Sequence, residues 1–453
     1  MEKGTTVGSK KIVALFDAGT FVEIGAYMQR DGGELTGVVC GYGAIDGKLV
    51  YAFSQDSDRK KGAFDALQAE KIAMLYGMAM KNGAPVVGMF DSAGAIICDG
   101  ASAMSAYGKL LKVVSDASGV IPQIAVISGI CAGMSATVAA MFDLIVTVKE
   151  KSQLYVNAPF VVGKEVGSSE AAAQNGLAAI EAENDADAAT KVAKLISLLP
   201  SNNADGVIAE EITDDVNRTV RVDETGKALI ETLADAGEVI VLGSAYAPEM
   251  LTGFVRFGGV TCGVVANDSS VNGGTVTVEG AKKATKLISF CDSFSIPVVT
   301  LVDSIGMEIS REAEGAPLAA QLGKLAMAYA TADTAKITVV TGKAYGAAFT
   351  LMGSKTLGAD MVYALENAEI SVMDPSSAVA FLWNDRITEQ TTRADLVTEW
   401  KKKNATAVAA AADGSIDDVI DPAQLRQRIC AAIYMLLMKS DGAPVRKHCN
   451  LPL

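Results

Sequence analysis

The feature that most constrains the fold of this 453-residue chain is an internal duplication. Residues 84–94, APVVGMFDSAG, match residues 296–306, IPVVTLVDSIG, at an offset of 212 residues (303 − 91). Residues 129–137, GICAGMSAT, match residues 342–350, GKAYGAAFT, at an offset of 213 (346 − 133). The triplet Asp-Ala-Gly also occurs twice, at 17–19 and 235–237. Three matches in one order predict two related domains of about 220 residues each.

The second pair of matching segments combines a strand, a tight turn and a helix. An apolar run, residues 123–128 or 337–340, leads into a glycine turn, and a helix of small apolar residues follows. Backbone N–H groups in the first turn of such a helix have no partner within the helix, so they suit a developing oxyanion. Small residues would also let a helix pack close to a sheet. The repetition of the turn favours the functional interpretation.

The rest of the pattern predicts an α/β fold. A β-hairpin or meander is expected at 35–53 with a turn at Asp46-Gly47. Alternating helices and buried strands follow it and recur in the second half. Such units form a largely parallel sheet whose functional turns lie beyond the carboxyl ends of the strands. We expect domains at 1–215 and 225–453 and an acidic linker at 204–224. The alanine-rich residues 405–413 are expected to be a helix end or a spacer.

Composition excludes several classes of function. The net charge of −14 argues against a nucleic-acid-binding surface. Seven scattered cysteines without CxxC spacing indicate a reduced compartment and no zinc site. The N-terminus has no signal-peptide core, and the apolar stretches are too short for membrane spans, so we expect a cytoplasmic protein. The single histidine, His448, lies near the end of the chain, which argues against a Ser-His-Asp or Cys-His device and against a metal site.

Seven short motifs carry a family resemblance over nearly the whole chain. In this order, the chain resembles the carboxyltransferase subunit of biotin-dependent acyl-CoA carboxylases at ASGVIPQI (117–124), CAG (131–133), LLPSNN (198–203), VVAN (264–267), FCDSFSIP (290–297), KAYG (343–346) and MGSK (352–355). The resemblance implies two crotonase-like (ClpP/crotonase) domains built from ββα units. It assigns acyl-CoA to the N-terminal lobe and carboxybiotin to the C-terminal lobe. It also implies an active site between opposite lobes of a dimer, commonly within a hexamer arranged as a trimer of dimers.

The chemistry implied by the resemblance needs no protein histidine. Carboxybiotin releases its carboxyl group, the biotin nitrogen takes the α-proton of the acyl-CoA, and the resulting enolate attacks CO2. The protein must supply two oxyanion holes. By resemblance, Gly133 and Met134 present N–H groups to the thioester, and Ala347 and Ala348 present theirs to biotin. The family has glycine where this chain has Met134, so a side chain stands on one of the turns.

Three further residues are assigned to substrate binding by the same resemblance. Gly94 lines the thioester side, and Gly346 forms the biotin-side turn. Thr350 stands where the acyl pocket selects chain length and where family members often carry aspartate. The family's arginine after the Asp-Ser-Gly-Gly-Ala stretch is replaced here by Ile96.

The chain lacks the Ala-Met-Lys-Met motif that accepts biotin, and Lys81 in the nearest stretch is interpreted as a solvated helix end. The biotin is therefore expected on a separate carrier. The expected partners are a biotin carboxyl carrier protein and a biotin carboxylase, or the membrane subunits of a decarboxylase. The sequence leaves the direction open among carboxylase, transcarboxylase and sodium-pumping decarboxylase.

Two other functions stay open. An acyl-CoA hydratase or isomerase would need paired carboxylates, for which Glu70 and Asp99 are candidates. A non-catalytic scaffold is suggested by the altered turns. Cys131 is interpreted as a packing residue because no base is available to activate it. Lys283 and Lys286 have two interpretations, contact with CoA phosphates or with water, and we expect them to face water.

Overall fold

A computed structural model describes residues 6–30, 33–163, 166–439 and 452. The chain forms two compact units, residues 1–206 and 207–453. The unit boundary therefore falls inside the expected linker, and most of that linker belongs to the second unit. His448 lies outside the described residues.

Unit 1 contains one eight-stranded sheet. Its strands are β1 (Val22–Ile24), β2 (Val38–Ile45), β3 (Lys48–Gln55), β4 (Val86–Ser92), β5 (Gln123–Ala132), β6 (Leu144–Val148), β7 (Gln153–Tyr155) and β8 (Ile180–Ala182). Its α-helices are α1 (Val7–Leu15), α2 (Ala66–Asn82), α3 (Ala101–Ala117), α4 (Met134–Ala140), α5 (Pro159–Val162), α6 (Ser169–Gln174) and α7 (Asp185–Leu198). The strand order is β1-β2-β3-β4-β5-β6-β8, and β7 pairs with the end of β5.

Unit 2 repeats this arrangement with a second eight-stranded sheet. Its strands are β9 (Val239–Leu242), β10 (Met250–Phe257), β11 (Val260–Asn267), β12 (Val298–Ser304), β13 (Lys336–Tyr345), β14 (Met361–Leu365), β15 (Glu369–Ser371) and β16 (Asp418–Ile420). Its α-helices are α8 (Gly226–Leu233), α9 (Val278–Ser293), α10 (Arg311–Gly315), α11 (Leu318–Thr331), α12 (Ala347–Leu351), α13 (Pro375–Leu382), α14 (Arg393–Asn404), α15 (Ala407–Ala412) and α16 (Leu425–Leu436).

The pairing pattern is the same in both units. Strands β1, β2 and β3 are antiparallel, and β3, β4, β5, β6 and β8 are parallel. In unit 2, β9 to β11 are antiparallel and β11 to β14 and β16 are parallel. The α/β prediction and the duplication are both confirmed. Since β3, β4 and β5 run in one direction, their carboxyl ends lie along the same edge of the sheet.

The repeated Asp-Ala-Gly triplet stabilises a hairpin turn in each unit. Asp46 and Gly47 have positive φ values of 50° and 72° and close the β2–β3 hairpin, as predicted. The Asp17 carboxylate accepts hydrogen bonds from both N–H groups, at 3.2 and 3.0 Å. In unit 2, the Asp235 carboxylate accepts from two turn N–H groups at 2.9 and 2.6 Å, those of Gly258 and Gly259. The duplication thus extends to the stabilisation of these turns.

Helix α2 shows how local sequence sets the element bounds. Asp65 caps its start by accepting the Gln68 N–H at 2.7 Å, and Gly83 ends it in the left-handed conformation. Its buried face includes Ile72, Leu75 and Ala79, which recur with helical periodicity. Packing of this face into the core stabilises the helix more than its propensity does.

Two expectations require correction or refinement. Lys283 does not face water: its residue is buried in α9, and its ammonium donates to the carbonyl oxygens of Tyr246 and Ala247 at 2.7 and 3.3 Å. Burial lowers the pKa of Lys283 to about 8. Lys286 is exposed, as expected. Within the stretch 405–413, residues Ala407–Ala412 form a short helix that Thr406 caps, and Ala407 and Ala410 are buried. Within the described ranges, every helix is too short or too polar to span a bilayer.

Candidate active site

The glycine turns occupy the same position in both units. Gly133 joins β5 to α4 with φ 62° and ψ −129°, and Gly346 joins β13 to α12 with φ 57° and ψ −138°. Residues with a Cβ rarely adopt this conformation, so glycine is required at both positions. The structure therefore builds the predicted strand–turn–helix twice, with Met134 and Ala347 as the first helical residues.

Hydrogen bonds within the fold determine which backbone N–H groups at each turn remain as donors for a ligand. The Gly133 N–H donates to the Tyr155 carbonyl oxygen at 2.9 Å, and the Gly346 N–H donates to Ser371 at the same distance. The Gly133 N–H is thus engaged within the sheet, which was not foreseen when it was assigned to the thioester. The first residues of a helix have no earlier carbonyl to bind. Hence the Met134 N–H in unit 1 and the Ala347 N–H in unit 2 are the first donors of each turn.

Helices α4 and α12 have only seven and five residues. A short helix sums few peptide dipoles, so its macrodipole is weak. Whatever oxyanion binding these turns provide must come from local N–H groups. In α12, Ala348 follows Ala347 before Phe349 returns its N–H to the Gly346 carbonyl at 3.2 Å. In α4, Ser135 has the equivalent position, because Ala136 donates to the Gly133 carbonyl at 3.1 Å.

A second loop lies beside each turn. Gly94 follows β4, and a Cβ built on it would lie 3.8 Å from the Ala132 carbonyl oxygen, directly before Gly133. Gly306 has the equivalent position in unit 2, where the same distance to the Tyr345 oxygen is 3.7 Å. The structure thus brings Gly94 and Gly133 together. Gly306 was not assigned to a site from the sequence, although its alignment with Gly94 in the repeat was the signal that could have revealed it.

The two loops are held by the same side chains in each unit. Ser92 and Ser304 accept the N–H groups of Gly94 and Gly306, both at 3.2 Å. The Asp91 carboxylate accepts the Ile130 N–H at 3.3 Å, and Asp303 accepts the Lys343 N–H at 2.8 Å. These aspartates tie the loop after one strand to the bulge in the next, so the glycine turn is fixed relative to the neighbouring loop.

Unit 1 adds an ion pair to this scaffold. The Lys11 ammonium on α1 binds the Asp91 carboxylate at 2.7 Å and the Ser128 carbonyl oxygen at 3.1 Å. Both side chains are about nine-tenths buried. A buried carboxylate needs such a partner. The pair therefore neutralises Asp91 next to the unit 1 turn at Gly133.

Burial fixes the protonation states around the unit 1 turn. The Tyr107 hydroxyl lies 2.8 Å from the Ser135 hydroxyl, and burial raises the pKa of Tyr107 to about 12. Burial also raises the pKa of the Cys131 thiol. Cys131 is fully buried and stays protonated near neutral pH, so its interpretation as a packing residue is confirmed.

The unit 2 turn has a different polar neighbour. The Tyr345 hydroxyl donates to the Glu369 carboxylate, which also pairs with the Lys401 ammonium at 2.6 Å. Burial and this carboxylate raise the pKa of Tyr345. Burial alone would raise the pKa of Glu369, but the hydrogen bonds from Lys401 and Tyr345 outweigh it and lower the pKa. The network ties β15 to the end of β13, where Gly346 follows.

The other residues considered from the sequence add no further donor or free carboxylate to the two glycine turns. Glu70 is exposed on α2 and paired with Lys109, so it does not present a free carboxylate. Thr350 is exposed on α12, three residues after the first donor of that turn. Among the residues that the structure describes, no cluster of three His, Cys, Asp or Glu side chains could hold a metal ion.

A model of the carboxyl transferase domain matches residues 1–451. The chain belongs to this carboxyltransferase family. Methylmalonyl-CoA decarboxylase subunit alpha of Veillonella parvula is 36% identical over 481 residues, which cover 100% of this chain and 94% of the relative. A putative propionyl-CoA carboxylase beta chain of Bacillus subtilis is 35% identical over 481 residues, with the same coverage.

A solved structure supports the fold as well as the family. The transcarboxylase 12S structure with methylmalonyl-coenzyme A bound has 33% sequence identity and a TM-score of 0.93, over 98% of this carboxyltransferase and 92% of the other chain. The crotonase-like fold is thereby confirmed. The carboxyltransferase is an enzyme subunit of the biotin-dependent acyl-CoA carboxylase class, as its sequence motifs predicted.

Proposed function

We propose that this carboxyltransferase moves a carboxyl group between carboxybiotin, carried on another chain, and the α-carbon of a short acyl-CoA. The observation that carries the proposal is the pair of matching glycine turns, each followed by N–H groups at a helix start. Two such sites fit two carbonyl oxygens, one on the thioester and one on the ureido ring of biotin. Unit 1 takes the acyl-CoA, and unit 2 takes the biotin.

In unit 1, the donors are the N–H groups of Met134 and Ser135. Gly133 is not a donor, because its own N–H is bound to the Tyr155 carbonyl oxygen. Its role is to form the turn. In unit 2, the donors are those of Ala347 and Ala348, and Gly346 sets the turn. Bound biotin supplies the base that removes the α-proton, so the chain needs none of its own. Its residues orient the thioester and stabilise the enolate oxygen as charge develops.

The substrate proposed is methylmalonyl-CoA or its product propionyl-CoA. Relatives named for these two esters span the whole chain at 35% and 36% identity. Thr350, on the exposed side of α12, is proposed to contribute to chain-length selection. The carrier and the biotin carboxylase, or membrane decarboxylase subunits, are proposed as separate partners.

The test uses the purified chain with free biotin and methylmalonyl-CoA, malonyl-CoA or glutaconyl-CoA. We expect biotin-dependent loss of the carboxyl group, fastest with methylmalonyl-CoA. Reactions without biotin are the control. Binding of these esters without any biotin-dependent loss would contradict the proposal and favour a non-catalytic scaffold.

Each unit also has a set of exposed apolar side chains, named here its apolar patch, in the segments that come before and after its glycine turn. Within this patch, Val156 and Val372 directly follow the residues whose carbonyls bind the glycine N–H groups, Tyr155 and Ser371. Its side chains, with exposed fractions between 61% and 99%, are Ile97, Val156 and Phe160 in unit 1 and Ile309, Val372 and Phe381 in unit 2. Exposed apolar surface of this kind is typical of protein interfaces. We propose that both patches are buried between copies of this chain, in a hexamer like that of the transcarboxylase core.

Replacing Phe160 with glutamate is expected to break the assembly. Its side chain is 89% exposed in the single chain, and a carboxylate buried at an interface would lose its hydration. Analytical ultracentrifugation should show smaller species and lower exchange activity. The control is Leu49→Glu. Leu49 is 42% exposed near the start of β3, at the opposite end of the strand from the glycine-turn edge of the sheet. An unchanged hexamer in both variants would contradict this interface.

A further inference from the structure

The duplication gives an internal comparison for the loop that packs against Gly94. Residues 59–64 and 271–276 follow the same path: the Gly62 N–H donates to Arg59 at 2.9 Å, and the equivalent bond in unit 2 is also 2.9 Å. The Phe64 N–H binds the Gly94 carbonyl at 2.8 Å, and Val276 binds Gly306 at 3.0 Å. The fold thus requires the same backbone in both units.

The sequences differ where this backbone is left-handed. Residues 60–62 have φ values of 50°, 53° and 67°, and residues 272–274 have 47°, 63° and 66°. Unit 2 places Asn-Gly-Gly there, residue types that adopt this conformation readily. Unit 1 places Lys-Lys-Gly, and each lysine is strained by roughly 1–2 kcal/mol. Unit 2 shows that the fold itself does not need lysine at these positions.

A second difference accompanies the lysines. A Cβ on Gly273 would lie 2.7 Å from Ile305 Cδ1, so Ile305 occupies the space beside that glycine. The equivalent of Ile305 in unit 1 is Ala93, whose N–H donates to the Lys61 carbonyl at 3.1 Å. Alanine is smaller than isoleucine, so in unit 1 the residue hydrogen-bonded to Lys61, directly before Gly94, occupies less space than its unit 2 equivalent. The two exchanges together replace a glycine beside an isoleucine with a lysine beside an alanine.

The Lys61 ammonium is available to a ligand. Lys61 is exposed, and the structure records no hydrogen bond or ion pair of its ammonium with any residue in the described ranges. Its neighbour Lys60 differs, because it pairs with Glu34 at 2.9 Å. The Lys61 backbone binds Ala93, the residue before Gly94, and Gly94 lies beside the glycine turn at Gly133. A chain with a net charge of −14 needs such local positive charge to attract a polyanionic CoA ester.

We propose that Lys61 is a binding residue for the acyl-CoA, its ammonium pairing with an anionic group of the ester. That group is a CoA phosphate or the carboxylate of the carboxylated acyl chain. The inference rests on the proposed function, which puts the thioester in unit 1. Strain held at a ligand site by the surrounding structure is a known way to position a functional group.

The test is Lys61→Gly, which introduces the residue found in unit 2. It relieves the left-handed strain and removes the ammonium. We expect an unchanged or higher melting midpoint, an acyl-CoA Kd raised about tenfold, and an unchanged KM for biotin. Lys61→Arg should retain most of the affinity. A stable Lys61→Gly variant that binds acyl-CoA as tightly as the parent would overturn the inference.

Lys60→Asn is the matched control, since it also introduces the unit 2 residue and removes one positive charge. Its acyl-CoA Kd should change less than twofold, because Lys60 is already paired. An equal loss of affinity in both variants would show a general effect of positive potential and would overturn a specific role for Lys61.

Two ligand comparisons identify the anionic group. If Lys61 binds a phosphate, Lys61→Gly weakens methylmalonyl-CoA and propionyl-CoA alike, and leaves methylmalonyl-pantetheine unaffected. If it binds the carboxylate, only the carboxylated esters are weakened. A parent protein that binds none of these esters would contradict the proposed function instead, so the two failures are distinct.

Discussion

Replacing Gly346 with valine is expected to abolish biotin-dependent carboxyl exchange. Gly346 has φ 57°, and a Cβ there would also lie 3.3 Å from the Val372 carbonyl oxygen. The turn must shift, and the N–H groups of Ala347 and Ala348 move with it. Loss of one oxyanion donor lowers kcat by roughly 10²–10³ in other enzymes. The measurement is the rate of carboxyl loss from methylmalonyl-CoA with saturating biotin.

The control for this variant is Gly315→Val. Gly315 ends α10, and a Cβ there would have no neighbour within 4 Å. It should retain the parental rate. Acyl-CoA binding by Gly346→Val should be largely retained, because the donors proposed for the thioester are in unit 1 and only Thr350 lies on the shifted helix. A Gly346→Val variant with full exchange activity would show that the unit 2 turn does not hold biotin.

Replacing Asp235 with alanine is expected to lower the free energy of unfolding by about 3–5 kcal/mol, since it leaves a buried charge without its partner. Arg426 is completely buried, and its guanidinium lies 2.5 Å from the Asp235 carboxylate. The same carboxylate holds the N–H groups of Gly258 and Gly259. Denaturant unfolding followed by circular dichroism would measure the loss.

Asp17→Ala is the matched control from the other unit. Asp17 stabilises the equivalent hairpin turn, but it is exposed, and no buried arginine pairs with it among the residues that the structure describes. Its loss should cost about 1 kcal/mol, as for other turn and cap hydrogen bonds. Similar losses for both variants would mean that Asp214, 3.4 Å from Arg426, suffices to neutralise the guanidinium.

Much of the architecture could be predicted because its signals are local or repeated. Asp46-Gly47 specifies the hairpin turn, since both residues tolerate positive φ. The Asp-Ser-x-Gly repeat located the loop of Gly94, and the apolar run before residue 129 located β5. The motif order identified the family before any contact was known.

The remaining features depend on contacts between distant residues. The Gly133 N–H binds Tyr155, which is 22 positions away (155 − 133) on a strand of three residues. A strand this short has no local sequence pattern that would predict it. Lys283 was expected to face water because lysine usually does, but the carbonyl oxygens of a loop at 246–247 hold its ammonium in the interior. The turn contacts of Asp17 and Asp235 also join distant residues, so the repeated Asp-Ala-Gly triplet alone did not predict them.

The short outer strands of both sheets bear on how this chain avoids aggregation while it folds. Parallel pairs form slowly because their partners are far apart in sequence, and exposed strand edges can meanwhile recruit other chains. The central strands β4 and β5 have seven and ten residues. The outermost strands β1, β8, β9 and β16 have only three or four. A newly made unit therefore offers little continuous backbone for a neighbouring chain to extend.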